Sequence, residues 1–239
     1  MAIISNTVGY LDGDTLLEGF FAYDDSVEGR RPAVMINHAW SGRNEFVEDK
    51  ALLLAELGYF AFAVDMYGKG VLGQGIEESA KLMQPFIDDR SLILRRMQAA
   101  LYAVKLMPWV DDRQIAAIGF CFGGLCVIDL ARSGANIKGV ISFHGLVNPP
   151  QDKSAPVIKA KMLILNGAND PMVSSVQLLA LQDELTFAGA DWQVHNYSHS
   201  MHAFTNPIAN DPDFGTVYNA ASDKRSWIAM KNFLVEIFE

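Results

Sequence analysis

Short apolar runs alternate along this chain with longer stretches whose apolar positions recur every three or four residues. The short runs, rich in β-branched and aromatic residues and bounded by Gly, Pro or Asp, predict strands; the periodic stretches predict helices. Strands are expected at Leu16 to Tyr23, Pro32 to His38, Tyr59 to Val64, Gln114 to Ile118, Val140 to Phe143, Met162 to Leu165 and Gln193 to Tyr197. Helices are expected over Glu45 to Leu57, with Gly58 as C-cap, and over Asp88 to Met107, ending before Pro108. Three more are expected at Leu125 to Arg132, with Gly134 as the stop, Val173 to Ala188 and Asn219 to Phe238. Glycine punctuates Gly68 to Gly75, which reads as loop. Strands separated by helices imply an α/β fold: a mostly parallel central sheet with helices on both faces. Sites in such sheets lie at the carboxyl ends of the strands.

One predicted strand runs straight into Gly119-Phe120-Cys121-Phe122-Gly123-Gly124, and a helical pattern follows. Gly-x-Cys-x-Gly between strand and helix has the form of a nucleophile elbow, with cysteine where serine is commoner. A nucleophile on so tight a turn has a strained backbone, and side chains two residues to either side would collide with it. Gly119 and Gly123 meet that demand. The amide of Phe122, at the start of the helix, can stabilise an oxyanion. The competing reading makes Cys121 a small buried apolar residue beside a glycine turn.

A cysteine nucleophile needs a base, and the base an orienting carboxylate. In α/β-hydrolases the acid comes next along the chain and the histidine last. Asp170 follows the strand ending at Leu165, in Asn166-Gly167-Ala168-Asn169-Asp170-Pro171; an N-cap role is compatible with that position. His202 follows the last strand, with His199 as its competitor. His195 lies inside a strand and is expected to be a packed or surface side chain. His144 ends a strand and is expected to face the pocket, whereas His38 should support its own loop. The second oxyanion donor belongs in the loop after His38, where the amide of Trp40 is the best candidate. Phe120, Phe122, Trp40, Met66, Tyr67, Met83 and Phe204 flank these motifs, and about half of them are expected to line an apolar pocket.

Composition narrows the partners. The 239 residues suit one α/β domain over 1–239, and with 50% hydrophobic residues the chain has a sizeable core. A net charge of −9 without a Lys/Arg-rich block disfavours nucleic acid and anionic membrane surfaces, and repels anionic substrates. No apolar run is long enough to span a membrane. Met1 to Asn6 lacks the basic start and apolar core of a signal peptide. The only two cysteines, Cys121 and Cys126, are too close along one predicted helix for a stabilising disulfide or a zinc pair. A reducing cytoplasm and a metal-free, cofactor-free site are expected, in a monomer or homodimer.

The segments Gly119 to Gly124, Asn166 to Pro171 and His202-Ala203-Phe204 resemble the dienelactone hydrolase (carboxymethylenebutenolidase-like) family of α/β-hydrolases. So do Val64 to Gly68 and Tyr218 to Trp227, and the resemblance covers nearly the whole chain. It implies a cytoplasmic, metal-free cysteine–histidine–aspartate hydrolase of esters or lactones: Cys121 the nucleophile, His202 the general base and acid, Asp170 its orienter. The chain departs from the family's founding members at three places. Their loop after the third strand carries a glutamate that pairs with the resting thiol until substrate displaces it; this chain has Ala39. They bind a substrate carboxylate through two arginines. This chain has Asn206 at the first and no arginine from Ile76 to Ala80 at the second, leaving Arg43 and Arg90 as possible substitutes. Cys121 would then rely on His202 and the helix terminus for its thiolate, and a small uncharged ester or lactone is the expected substrate. A non-catalytic binding or regulatory protein on the same scaffold is the alternative. A thiol redox protein and a peptidase are weaker rivals, since no Cys-x-x-Cys exists and amides need a better-protonated leaving group.

Overall fold

The computed structural model describes residues 2–150 and 157–239. The chain divides into two compact units, one ending at Ile118 and the other beginning at Gly119.

In the first unit β1 (Ile3–Asp12) and β2 (Thr15–Asp24) form an antiparallel hairpin, turning at Gly13 with φ +57°. β3 (Arg31–Asn37), α1 (Glu45–Glu56) and β4 (Phe60–Val64) form a βαβ unit whose strands pair in parallel from Ala33↔Phe60 to Asn37↔Val64. α2 (Gly75–Asp88), α3 (Arg90–Lys105) and β5 (Val110–Phe120) complete the unit, and the strand order is β1-β2-β4-β3-β5. Every residue of β4 and all but Pro32 of β3 are buried, the near-continuous apolar pattern of strands covered on both faces.

Two features escape the sequence pattern. β1 is mostly exposed, so its polar positions Ser5, Asn6 and Thr7 give no core-facing signal. The helix expected from Asp88 to Met107 is α3, two residues shorter at each end, and a second helix, α2, precedes it unforeseen: Asp89, extended (φ −123°, ψ 93°), breaks the chain between the two and caps α3 by accepting the Ser91 amide at 3.0 Å. α2 precedes that break and carries Pro85 internally, a residue that reads as a breaker in sequence.

The second unit contains α4 (Phe122–Arg132), β6 (Gly139–Phe143), β7 (Lys161–Gly167), α5 (Ser175–Phe187), β8 (Trp192–Tyr197), β9 (Asn210–Asp211), β10 (Thr216–Val217) and α6 (Ala220–Phe238). β6, β7 and β8 run parallel and adjacent, with Phe143 opposite Leu165 and Gly167 opposite Tyr197. Their carboxyl ends therefore lie side by side, and the segments holding His144, Asp170 and His202 leave from neighbouring points. All of α4 is buried. Its two buried charges, Asp129 and Arg132, pair at 3.1 Å, and Arg132 also binds Glu184 and the carbonyls of Val147 and Asn148. Paired and hydrogen-bonded charges are the form in which burial is tolerated. The β3–β4, β6–β7 and β7–β8 pairs are parallel, and the β1–β2, β2–β4 and β9–β10 pairs antiparallel.

Candidate active site

Cys121 sits between β5 and α4 with φ 55° and ψ −114°, a conformation that costs a non-glycine residue free energy. Its amide donates to the Phe143 carbonyl at 3.0 Å, and its carbonyl accepts the Gly124 amide at 3.0 Å. Both bonds hold the turn on the end of β6 and the first turn of α4. Gly119 is required by close approach: a Cβ there would lie 2.0 Å from the Gly123 carbonyl oxygen and 2.2 Å from its carbon. Backbone cannot move aside as a flexible side chain does, so Gly119→Ala is expected to destabilise the fold by about 3 kcal/mol, read by urea denaturation. A variant as stable as the wild type would remove the steric account of the elbow. The thiol of Cys121 is half-exposed, and Cys126 is buried in α4; neither is in a disulfide.

Asp170 and His202 meet at the next two strand ends. His202 Nδ1 and Asp170 Oδ2 are 2.8 Å apart, with both side chains essentially inaccessible. The second carboxylate oxygen, Oδ1, accepts the Met172 amide at 2.8 Å. Asp170 thus accepts on both oxygens, and its orientation is set before any substrate arrives. The aspartate loop is tied to the histidine loop by the Asn169 amide on the Ser200 carbonyl (2.9 Å) and to β8 by the Ala168 amide on the Tyr197 carbonyl (2.8 Å). Gly167 permits that approach, since a Cβ there would be 2.6 Å from the Ser200 oxygen.

Three influences act on the His202 proton. Burial alone would drive it off, but the negative charge of Cys121 and the Asp170 carboxylate outweigh burial and raise the pKa from 6.5 to about 10. The protonated ring is therefore favoured at neutral pH. Nε2 is buried, and Cys121 acts on the ring both through its charge and as a hydrogen-bond partner. A thiolate beside an imidazolium, itself oriented by a carboxylate, can attack an electrophilic carbon and protonate a leaving oxygen.

His144 joins this cluster at the end of β6, with φ 39°. Its ring meets that of His202 edge-on at 5.2 Å and that of Phe204 at 5.1 Å, and its Nε2 lies 2.8 Å from Thr205 Oγ1. Thr205 is a partner that sequence reading does not reach, because only the fold brings it under β6. Phe120 stacks on Phe143 at 4.7 Å, and Phe120, Phe122 and Phe204 are all buried. His199 is exposed, and its carbonyl accepts from Asn219 Nδ2 at 3.4 Å, so among the two candidates only His202 meets the carboxylate.

The remaining expected residues lie in the first unit. Tyr67 donates from Oη to the Trp40 carbonyl at 2.9 Å and stacks edge-on against His38 at 4.9 Å. His38 accepts the Met66 amide on Nε2 at 3.2 Å and holds the Ala39 carbonyl 2.6 Å from Nδ1. Burial pushes its pKa down to about 4, so the ring is neutral and ties the loop after β3 to the loop after β4. Met66 is fully buried, while Tyr67 and Met83 are half-buried. Arg43 is engaged by Glu18 and Glu48. Among the described residues no three His, Cys, Asp or Glu side chains are grouped to hold a metal ion.

A sequence model of the dienelactone hydrolase family matches residues 17–238. The chain is similar over its full length to a solved dienelactone hydrolase-like promiscuous phosphotriesterase from metagenomic libraries, with 37% identity, a TM-score of 0.95 and complete coverage of both chains. Carboxymethylenebutenolidase of Pseudomonas putida is 24% identical over 199 residues, covering 80% of each chain. An uncharacterised protein of Caenorhabditis elegans is 37% identical over 146 residues, covering 60% of this chain and 92% of its own.

Proposed function

Because the chain belongs to the dienelactone hydrolase family of α/β-hydrolases, and is thus a hydrolase of esters or lactones, we propose that it works through Cys121, His202 and Asp170 on a small uncharged substrate. The observation that carries this reading is His202 bonded to Asp170 at 2.8 Å, with Cys121 and that carboxylate both favouring its protonated form. The Cys121 thiolate attacks the carbonyl carbon, and the carbonyl electron pair moves to oxygen. The Phe122 amide at the start of α4 stabilises that oxyanion, with the Trp40 amide assigned from chain order as second donor. As the tetrahedral adduct collapses, His202 passes its Nε2 proton to the leaving alkoxide and a thioester remains. Neutral His202 then takes a proton from water, the hydroxide adds to the thioester, and the thiolate departs from the second adduct. One family match running from 17 to 238 supports a single domain for this work.

Charge supports the uncharged substrate. The chain carries −9 overall, Ala39 and Asn206 stand where founding members of the family have glutamate and arginine, and Arg43 is already paired with two glutamates. With Ala39 there is no resting carboxylate for substrate to displace, so the thiolate depends directly on His202. On matched pairs of esters and lactones, kcat/KM should favour the neutral member over its carboxylate analogue by about tenfold or more. Equal rates, or a preference for the anion, would reject the assignment.

A second reading draws on the phosphotriesterase similarity. A neutral phosphotriester offers the same thiolate an electrophilic phosphorus and an alkoxide or phenoxide leaving group. Including one in the panel separates the two chemistries. Folded protein inert to every member would support the non-catalytic alternative. No helix among the described residues is long and apolar enough to cross a membrane.

A further inference from the structure

The hairpin β9–β10 lies outside every motif that identifies the site, yet it grips His202. The His202 amide donates to the Gly215 carbonyl at 2.9 Å, and the His202 carbonyl accepts the Val217 amide at 3.1 Å, with Thr216 bridged in parallel between them. Backbone on both sides of the histidine is thus bonded to one short strand. That strand is braced at its far side: Tyr218 donates to the Ala209 carbonyl at 2.9 Å and Asn219 to the Phe204 carbonyl at 3.0 Å.

Gly215 links this grip to the other half of the pair. It is buried, with φ +84°, and a Cβ on it would lie 2.1 Å from Cγ and 2.8 Å from Cδ of Pro171 but 3.5 Å from Pro171 Cβ. Pro171 follows Asp170 directly. Gly215 therefore presses its backbone against a rigid ring on the aspartate loop while its carbonyl holds the histidine loop. The two loops otherwise meet at the Asn169–Ser200 bond and the carboxylate–imidazole bond itself.

We propose that Gly215 is a positioning residue: its contact with Pro171 and its bond to the His202 amide together set the distance between Asp170 and His202. This rests on the assignment of that pair to catalysis. A displacement near 1 Å at such a site costs about a hundredfold in rate. A side chain on Gly215 must push the hairpin off Pro171 and draw His202 with it. Removing the proline ring relieves the clash, since the remaining Cβ is at ordinary contact distance, while the backbone strain of a side chain at φ +84° is common to the single and double variants and drops out of their ratio.

The test uses Gly215→Ala, Pro171→Ala and the double variant in the whole protein, each checked for native circular dichroism. Two readouts are taken: kcat and KM on a neutral ester, and the His202 Nδ1 proton resonance by NMR. Gly215→Ala should lower kcat about thirty- to a hundredfold at little-changed KM and shift or broaden that resonance. Pro171→Ala should show a lesser change of the same kind, and the double variant should recover at least tenfold over Gly215→Ala. Should Gly215→Ala fail to fold, Pro171→Ala carries the same resonance test alone. Wild-type kcat and resonance in Gly215→Ala, a double variant no better than the single, or an unperturbed Pro171→Ala where the single does not fold would each overturn the proposal. The resonance is read without turnover, so failure of the catalytic assignment, seen as full activity in Cys121→Ala, is distinguishable from failure of the positioning role.

Discussion

Replacing Cys121 with alanine is expected to lower the turnover of esters and lactones by about four to six powers of ten while the protein stays folded. Cys121 is half-buried, unlike the core residues around it, so removing one sulfur leaves little void, and alanine keeps the backbone bonds to Phe143 and Gly124. What disappears is the atom that would carry the acyl group. The same change removes the charge that opposes burial at His202, so its pKa should fall from about 10. Initial rates on the neutral panel, circular dichroism and an NMR titration of the His202 ring check the three parts. Near-normal hydrolysis by the purified variant would dispose of the thioester mechanism. Normal hydrolysis with a fallen His202 pKa would place the chemistry on activated water instead.

Asp170→Asn should cost about ten-thousandfold in kcat with little change in the fold, because it reverses the hydrogen on Nδ1. Oδ1 accepts the Met172 amide at 2.8 Å, so the new carboxamide keeps its oxygen there. Its NH2 group then faces His202 Nδ1, which must accept rather than donate. The proton is forced onto Nε2 in the neutral ring, and neutral His202 can no longer take one from the thiol or from water. The sign of the accompanying pKa change follows from the same contacts. Asp170 contributes two of the upward influences on His202 and burial opposes them, so the imidazolium should be lost at lower pH than in the wild type. A variant with wild-type kcat, or an unmoved His202 titration, would show that the 2.8 Å contact is structural only.

Much of this site was legible along the chain, and the reasons are local. The elbow is readable because a turn at that angle excludes side chains at fixed offsets, and a Cβ on Gly119 would indeed meet Gly123 backbone at 2.0 Å. Asp170 was placed by its position after a strand, since parallel strands deliver their loops to one end of a sheet. β1 and α2 were missed for the converse reason. An exposed edge strand has no core-facing alternation, and a helix holding Pro85 looks interrupted when read residue by residue. Asp89 moved the start of the expected helix from Asp88 to Arg90, because a cap is a backbone conformation as well as a residue type.

The sequence by itself determined the order of strands and helices apart from β1, α2, β9 and β10, together with the cysteine turn and the family, because each depends on periodicity or on residues a few positions apart. Chain order and the resemblance favoured His202 over His199, and tertiary structure supplies the contact that separates them, His202 Nδ1 to Asp170 Oδ2 at 2.8 Å. His199 and His202 share one loop; His202 is bridged to Thr216 of β10 and buried, while His199 is exposed. Tertiary structure alone decided the contacts of His144 with Thr205 and of Gly215 with Pro171. Those pairs lie far apart in sequence, and no local rule of spacing connects residues whose proximity is created by the packing of separate loops.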